Sequence, residues 1–126
     1  MSHVLIVDDH TINRRLATAM LRREGWQVDE VEDGLEAMRW LEEKQPDLIL
    51  LDISMPDLTG EEVCIRLRAM PQYAKLPIIA YTAHAMPQDI ERFLNNGFDA
   101  VLTKPISVNS LKDALAKVGF PSASPN

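Results

Sequence analysis

Four short apolar runs, each closing on a polar group and each followed by a stretch of helical spacing, restrict this chain to very few folds. Val4-Leu-Ile-Val7 ends in Asp8-Asp9, and Leu48-Ile-Leu-Leu51 ends in Asp52. Ile78-Ile-Ala-Tyr81 ends in Thr82, and Ala100-Val-Leu102 in Thr103-Lys104. Runs this short and apolar throughout suit strands covered on both faces. Trp26 to Val31 alternates weakly, as an outer strand does. The intervening segments predict five helices. In the first, over about 12–24, Ile12, Leu16 and Met20 share a face, and Gly25 suits its carboxyl cap. Asp33-Gly34 starts the second, with Ala37, Met38 and Leu41 as its buried stripe and Pro46 at its end. Val63, Leu67 and Met70 point inward from the third; Ile90, Phe93 and Leu94 form the stripe of the fourth. Val108, Leu111, Leu115 and Val118 recur along the fifth.

Strand and helix therefore alternate five times, which with right-handed crossovers gives a parallel sheet clothed by helices on both faces. The expected fold is α/β, a flavodoxin-like doubly wound (βα)5 with strand order 2-1-3-4-5. Its switch point, where ligands of such sheets bind, lies between the first and third strands. Those are the two strands that end in aspartates. Residues 1–120 are expected to form one domain, and 121–126, Pro-Ser-Ala-Ser-Pro-Asn, a flexible tail or linker stub.

A net charge of −6 with no Lys/Arg run argues against direct nucleic-acid binding and against anionic lipid. No stretch reaches the roughly 18 apolar residues of a membrane helix. The single cysteine, Cys64, fits a reducing compartment and a small core side chain. A cytoplasmic location is the expectation. His10 and His84 have no neighbours at zinc-like spacing.

Three carboxylates, a hydroxyl and an ammonium on one rim suit a magnesium ion and a phosphoryl group. Asp8-Asp9, Asp52, Thr82-Ala83 and Lys104-Pro105 together resemble the receiver domain of two-component response regulators over about residues 3–118. Thr82-Ala-His-Ala-Met86 and Leu102-Thr-Lys-Pro-Ile106 are most similar to receivers attached to hybrid histidine kinases. The resemblance implies a phosphoacceptor at Asp52, charged by a sensor histidine kinase or histidine phosphotransfer protein. The output then passes to a downstream protein target or fused domain. It implies a magnesium site (manganese able to substitute) in which Asp9, Asp52 and the Ser54 backbone carbonyl bind directly and Asp8 through a water. Lys104 and Thr82 would meet the phosphoryl oxygens, and a cis Lys104-Pro105 peptide would aim the lysine. Ser54 and His84 stand where receivers tune dephosphorylation, although His84 also reads as a surface histidine. Such a module catalyses only its own phosphorylation and dephosphorylation.

Three departures stand out. Val101 replaces the usual aromatic switch residue, so either the output face moves without a ring rotation or Tyr81 takes some part. Thr59 stands where an aspartate is common. The chain also stops shortly after the fifth helix. Two other classes compete with the switch. A haloacid-dehalogenase-like phosphohydrolase also uses a strand-terminal aspartate with magnesium, but here His10 occupies its second aspartate position. A non-phosphorylated pseudo-receiver binding module would usually lack part of the acidic set, which this chain retains.

Overall fold

Five parallel strands lie in the order β2-β1-β3-β4-β5 in a computed structural model that describes residues 2–121. The elements are β1 (His3–Val7), α1 (Thr11–Arg23), β2 (Gln27–Val31), α2 (Gly34–Glu43), β3 (Leu48–Asp52), α3 (Gly60–Arg68), β4 (Ile78–Thr82), α4 (Pro87–Asn95), β5 (Ala100–Thr103) and α5 (Val108–Lys117). A 3-10 turn at Pro71–Tyr73 leads into β4. The flavodoxin-like α/β order is the one the sequence predicts. Of the expected tail, residues 122–126 lie outside the described residues.

Strand alternation divides the core into two layers. Leu5, Val7, Ile49, Leu51 and Ala80 face α2, α3 and α4. Ile6, Leu50, Ile79, Tyr81 and Leu102 face α1 and α5. Local signals define the helix ends. Asp33 caps α2 by accepting the Glu36 N–H at 2.8 Å. Gly25, at φ +93°, turns the chain beyond α1 into β2. Thr59 takes part in a reciprocal capping box with Glu62 at the start of α3.

The face of α1 that carries Ile12 and Leu16 does not pack inward. Ile12 is 78% exposed and Leu16 38%, while Ala17 and Leu21 meet the sheet beside Arg14 and Thr18. The small Ala17 lets the helix approach closely, and the same rotation sends the Arg14 guanidinium toward the end of β1. Leu94 and Val108 are also about half exposed, so the stripes of α4 and α5 are narrower than the spacing suggests.

Candidate functional site

The carboxyl ends of β1 and β3 bring three aspartates together. One oxygen each from Asp8, Asp9 and Asp52 lies within 4.8 Å of the others. Asp8 and Asp52 are buried, and Asp9 is exposed. Lys104, just beyond β5, reaches across β4, placing its Nζ 3.1 Å from Asp52 Oδ1 and 3.2 Å from Asp8 Oδ2. Its backbone N–H donates to the Thr82 carbonyl at 2.8 Å, which fixes the start of the side chain. The Lys104–Pro105 peptide is cis. Ser54 directs its N–H toward Asp52 Oδ1 at 3.4 Å and is otherwise exposed.

Burial and the neighbouring Asp8 charge push Asp52 up from 3.8 to about 7, and Lys104 offsets only part of this. Asp8 Oδ1 accepts the His10 N–H at 2.8 Å. Asp8 Oδ2 is buried without a hydrogen bond, the Lys104 ammonium being close but poorly aligned. An orphaned carboxylate oxygen beside two further carboxylates forms a hard, oxygen-only donor set of the kind magnesium takes. The residues fit that ion.

Thr82 is buried beside this group at the end of β4, but its hydroxyl is engaged locally. It accepts the His84 N–H at 3.0 Å and donates to the His84 carbonyl at 3.2 Å. The His84 side chain is exposed. Val101 is not at the site. It pairs with Ala80 and packs on the α2–α4 side of the sheet, whereas Tyr81 pairs with Leu102 on the α1–α5 side. Tyr81 therefore cannot stand in for a ring at the Val101 face.

Two supporting residues escape sequence reasoning. Arg14 is 6% exposed, donates to the Asp8 carbonyl at 2.9 Å, and bonds Glu30 at 2.8 Å. In the sequence it is one of two adjacent arginines, and only the rotation of α1 decides which is buried. Gly60 N–H donates to the Ile53 carbonyl, and a Cβ there would fall 2.1 Å from the Asp52 carbonyl oxygen. A glycine opening a helix after a turn-rich loop was the available signal. Tyr81, singled out from the sequence only in connection with Val101, has its ring centroid 4.8 Å from the Lys104 ammonium.

Residues 4–116 match the profile of the response regulator receiver domain. The chain belongs to the response regulator receiver family. It is 36% identical over 113 residues to the sensor histidine kinase RcsC of Salmonella typhi, covering 90% of this chain but only 12% of that kinase. It is 39% identical to the polar-differentiation response regulator DivK of Brucella anthropi, covering 83% of this chain and 85% of DivK. The receiver domain of sensor histidine kinase PA1611 from Pseudomonas aeruginosa PAO1, solved with a magnesium ion coordinated in its active-site cleft, superposes with a TM-score of 0.83. That pair is 34% identical, over 94% of this chain and 98% of the other. Asp8, Asp9, Asp52 and Lys104 are thus the acidic pocket and lysine of a receiver, a signalling module of two-component systems. No helix among the described residues is long and apolar enough to cross a membrane.

Proposed function

We propose that residues 1–120 form a phosphoaccepting switch in which Asp52 takes a phosphoryl group from a phosphohistidine. The observation that carries this is the placement of a buried Asp52 beside the Asp8 and Asp9 carboxylates and against the Lys104 ammonium. An Asp52 carboxylate oxygen attacks phosphorus; the P–N bond breaks, its electron pair returns to the imidazole nitrogen, and an acyl phosphate forms. Asp9, Asp52 and the Ser54 carbonyl would hold magnesium directly, and Asp8 through a water. When bound, the ion neutralises phosphoryl-oxygen charge; manganese meets the same hard-oxygen demand. Lys104 supplies the second positive charge. Thr82 exchanges its bond to the His84 carbonyl for one to a phosphoryl oxygen, a charge-assisted and stronger contact.

The Thr82 exchange frees the His84 backbone, so the loop from Thr82 to Met86 carries the change toward α4. Ser54 and His84, flanking the cleft, tune the lifetime of the acyl phosphate. The short Val101 side chain leaves the β5 surface without a rotating ring. The matches to a stretch of a kinase and to most of a response regulator support a sensor histidine kinase or phosphotransfer protein as donor, and a protein target or fused domain as recipient. Exposed His10, donating its N–H to Asp8, stands where a phosphohydrolase of the dehalogenase type needs a second aspartate. This favours a module that modifies only itself.

A small acyl phosphate with magnesium is expected to add one phosphoryl mass. Asp52→Asn abolishes that increase, and chelation suppresses it. Labelling that persists in Asp52→Asn would place the acceptor elsewhere.

A further inference from the structure

Tyr81 is fully buried in β4, and its hydroxyl is one of three buried side-chain polar atoms without a hydrogen bond among the described residues. Its hydroxyl therefore gives no account of why a tyrosine stands there. The face of its ring does. The Lys104 ammonium sits 4.8 Å from the ring centroid, and the lysine side chain is only 14% exposed. A cation over an aromatic face gains most where water is excluded. Across the sheet Tyr81 pairs with Asp52 on one side and Leu102 on the other. The ring thus stands between the strand that carries the phosphoacceptor and the strand that delivers the lysine.

We propose that Tyr81 is a positioning residue for phosphoryl transfer, its ring face fixing the place from which the Lys104 ammonium meets the phosphoryl group. The inference rests on the roles proposed above for Asp52 and Lys104. Among the described residues the ammonium contacts Asp8 Oδ2, Asp52 Oδ1 and the ring. Asp52 changes charge and shape when it is phosphorylated, and Asp8 faces the metal position. Only the ring offers the same attraction before and after transfer. A lysine stem has several free torsions, and a partner that stays constant keeps them ordered through the reaction. An aliphatic side chain of similar volume would fill the same core space without the electrostatic face.

The test compares Tyr81→Phe, which keeps the ring, with Tyr81→Leu and the longer Tyr81→Met, which do not. Labelling by a small acyl phosphate is timed, magnesium affinity is measured separately, and the Lys104 ε-methylene protons are observed by NMR. In the unmodified protein these protons are expected upfield, shifted by the ring. Tyr81→Phe is expected to keep that shift and the labelling rate. Tyr81→Leu and Tyr81→Met are expected to lose the shift and label about tenfold more slowly, from the usual strength of a desolvated cation–π contact, with magnesium affinity unchanged. Wild-type labelling rates in both aliphatic variants would overturn the proposal, as would a Tyr81→Phe rate as slow as theirs. A fall in magnesium affinity matching the fall in rate would show a structural role instead. A wild-type chain that takes no phosphoryl group would overturn the phosphoacceptor reading, and the proton shifts would then judge Tyr81 alone. Unshifted Lys104 protons in the wild type would overturn the placement itself.

Discussion

The two rims of this sheet treat charge in opposite ways. At the amino-terminal rim Arg68 donates to the carbonyls of Gly97, Tyr73 and Leu76 and to Asp99 Oδ2, all within 2.9 Å. Asp99 Oδ2 also accepts the Ile78 N–H, and Asp47 accepts the His3 N–H. Tyr73 reaches back to the carbonyls of Leu41 and Lys44. Each of these polar groups has a partner, and the bonds tie α2, α3, β4 and β5 together. At the carboxyl-terminal rim, three carboxylates cluster with one ammonium against two of them, and Asp8 Oδ2 and the Tyr81 hydroxyl are buried without hydrogen bonds. One rim closes the fold, and the other holds electrostatic tension that a cation and a phosphoryl group relieve. Sites that break local rules while the rest of the domain obeys them are where function is expected.

The sharpest way to break this contrast is to disturb the backbone beneath the tense rim. Gly60→Ala would drive a methyl group into the Asp52 carbonyl, 2.1 Å away. The expected result is a stability loss of about 4 kcal/mol, with labelling of Asp52 falling more than tenfold. Denaturant unfolding and timed labelling check it. A variant as stable and as reactive as the parent would show that the loop yields freely.

Next in size is the effect of relieving the tension. Because Asp52 is raised from 3.8 to about 7, the folded chain keeps a proton that the unfolded chain releases. Stability without metal therefore falls as pH rises from about 4 to about 7. Asp52→Asn is expected to flatten that slope and to gain on the order of 3 kcal/mol above neutral pH without metal. Saturating magnesium stabilises the parent in the same range, since it binds only the folded site. Thermal melts across pH measure both. A metal-free parent with no slope there would mean the rim holds no such tension.

The satisfied rim responds differently. Arg68→Met removes one donor from each of four acceptors, of which Asp99 keeps the Ile78 N–H, and is expected to cost about 2 kcal/mol. The labelling rate of Asp52 should stay unchanged, and a drop in step with stability would show that the rims are coupled. The smallest effect belongs to His3→Ala. It removes a partly exposed pair with Asp29 and an edge contact with Trp40, and less than about 1 kcal/mol is expected.

The acidic side of this contrast was legible in the sequence, and the illegible part has a physical pattern. Apolar runs ending in Asp8-Asp9, Asp52 and Thr82 give the strand order and the rim where side chains meet, because strand period and crossover handedness leave little freedom. Which side of α1 packs inward was not legible: Ile12 and Leu16 share a face, yet Ala17, Leu21 and Arg14 are the residues that turn in. That choice depends on a close helix–sheet approach and on the Asp8 carbonyl seeking a donor, neither of which is a local property. The Arg68 hub was equally hidden, since its four partners lie in two stretches, 73–76 and 97–99, that are distant in sequence from each other and brought together only by the fold. Tyr81 read as the end of an apolar run and as an alternative to a ring at Val101, and the lysine over its ring becomes visible only once β4 and β5 are paired.

The most direct test of the account is the titration of the Asp52 side-chain carboxyl carbon by NMR, without and with magnesium. A metal-free midpoint near 7 is expected, well above the ordinary carboxylate range, falling steeply when magnesium binds. A metal-free midpoint near the ordinary value, unmoved by magnesium, would contradict the claim that this rim is built under tension for a cation and a phosphoryl group to relieve.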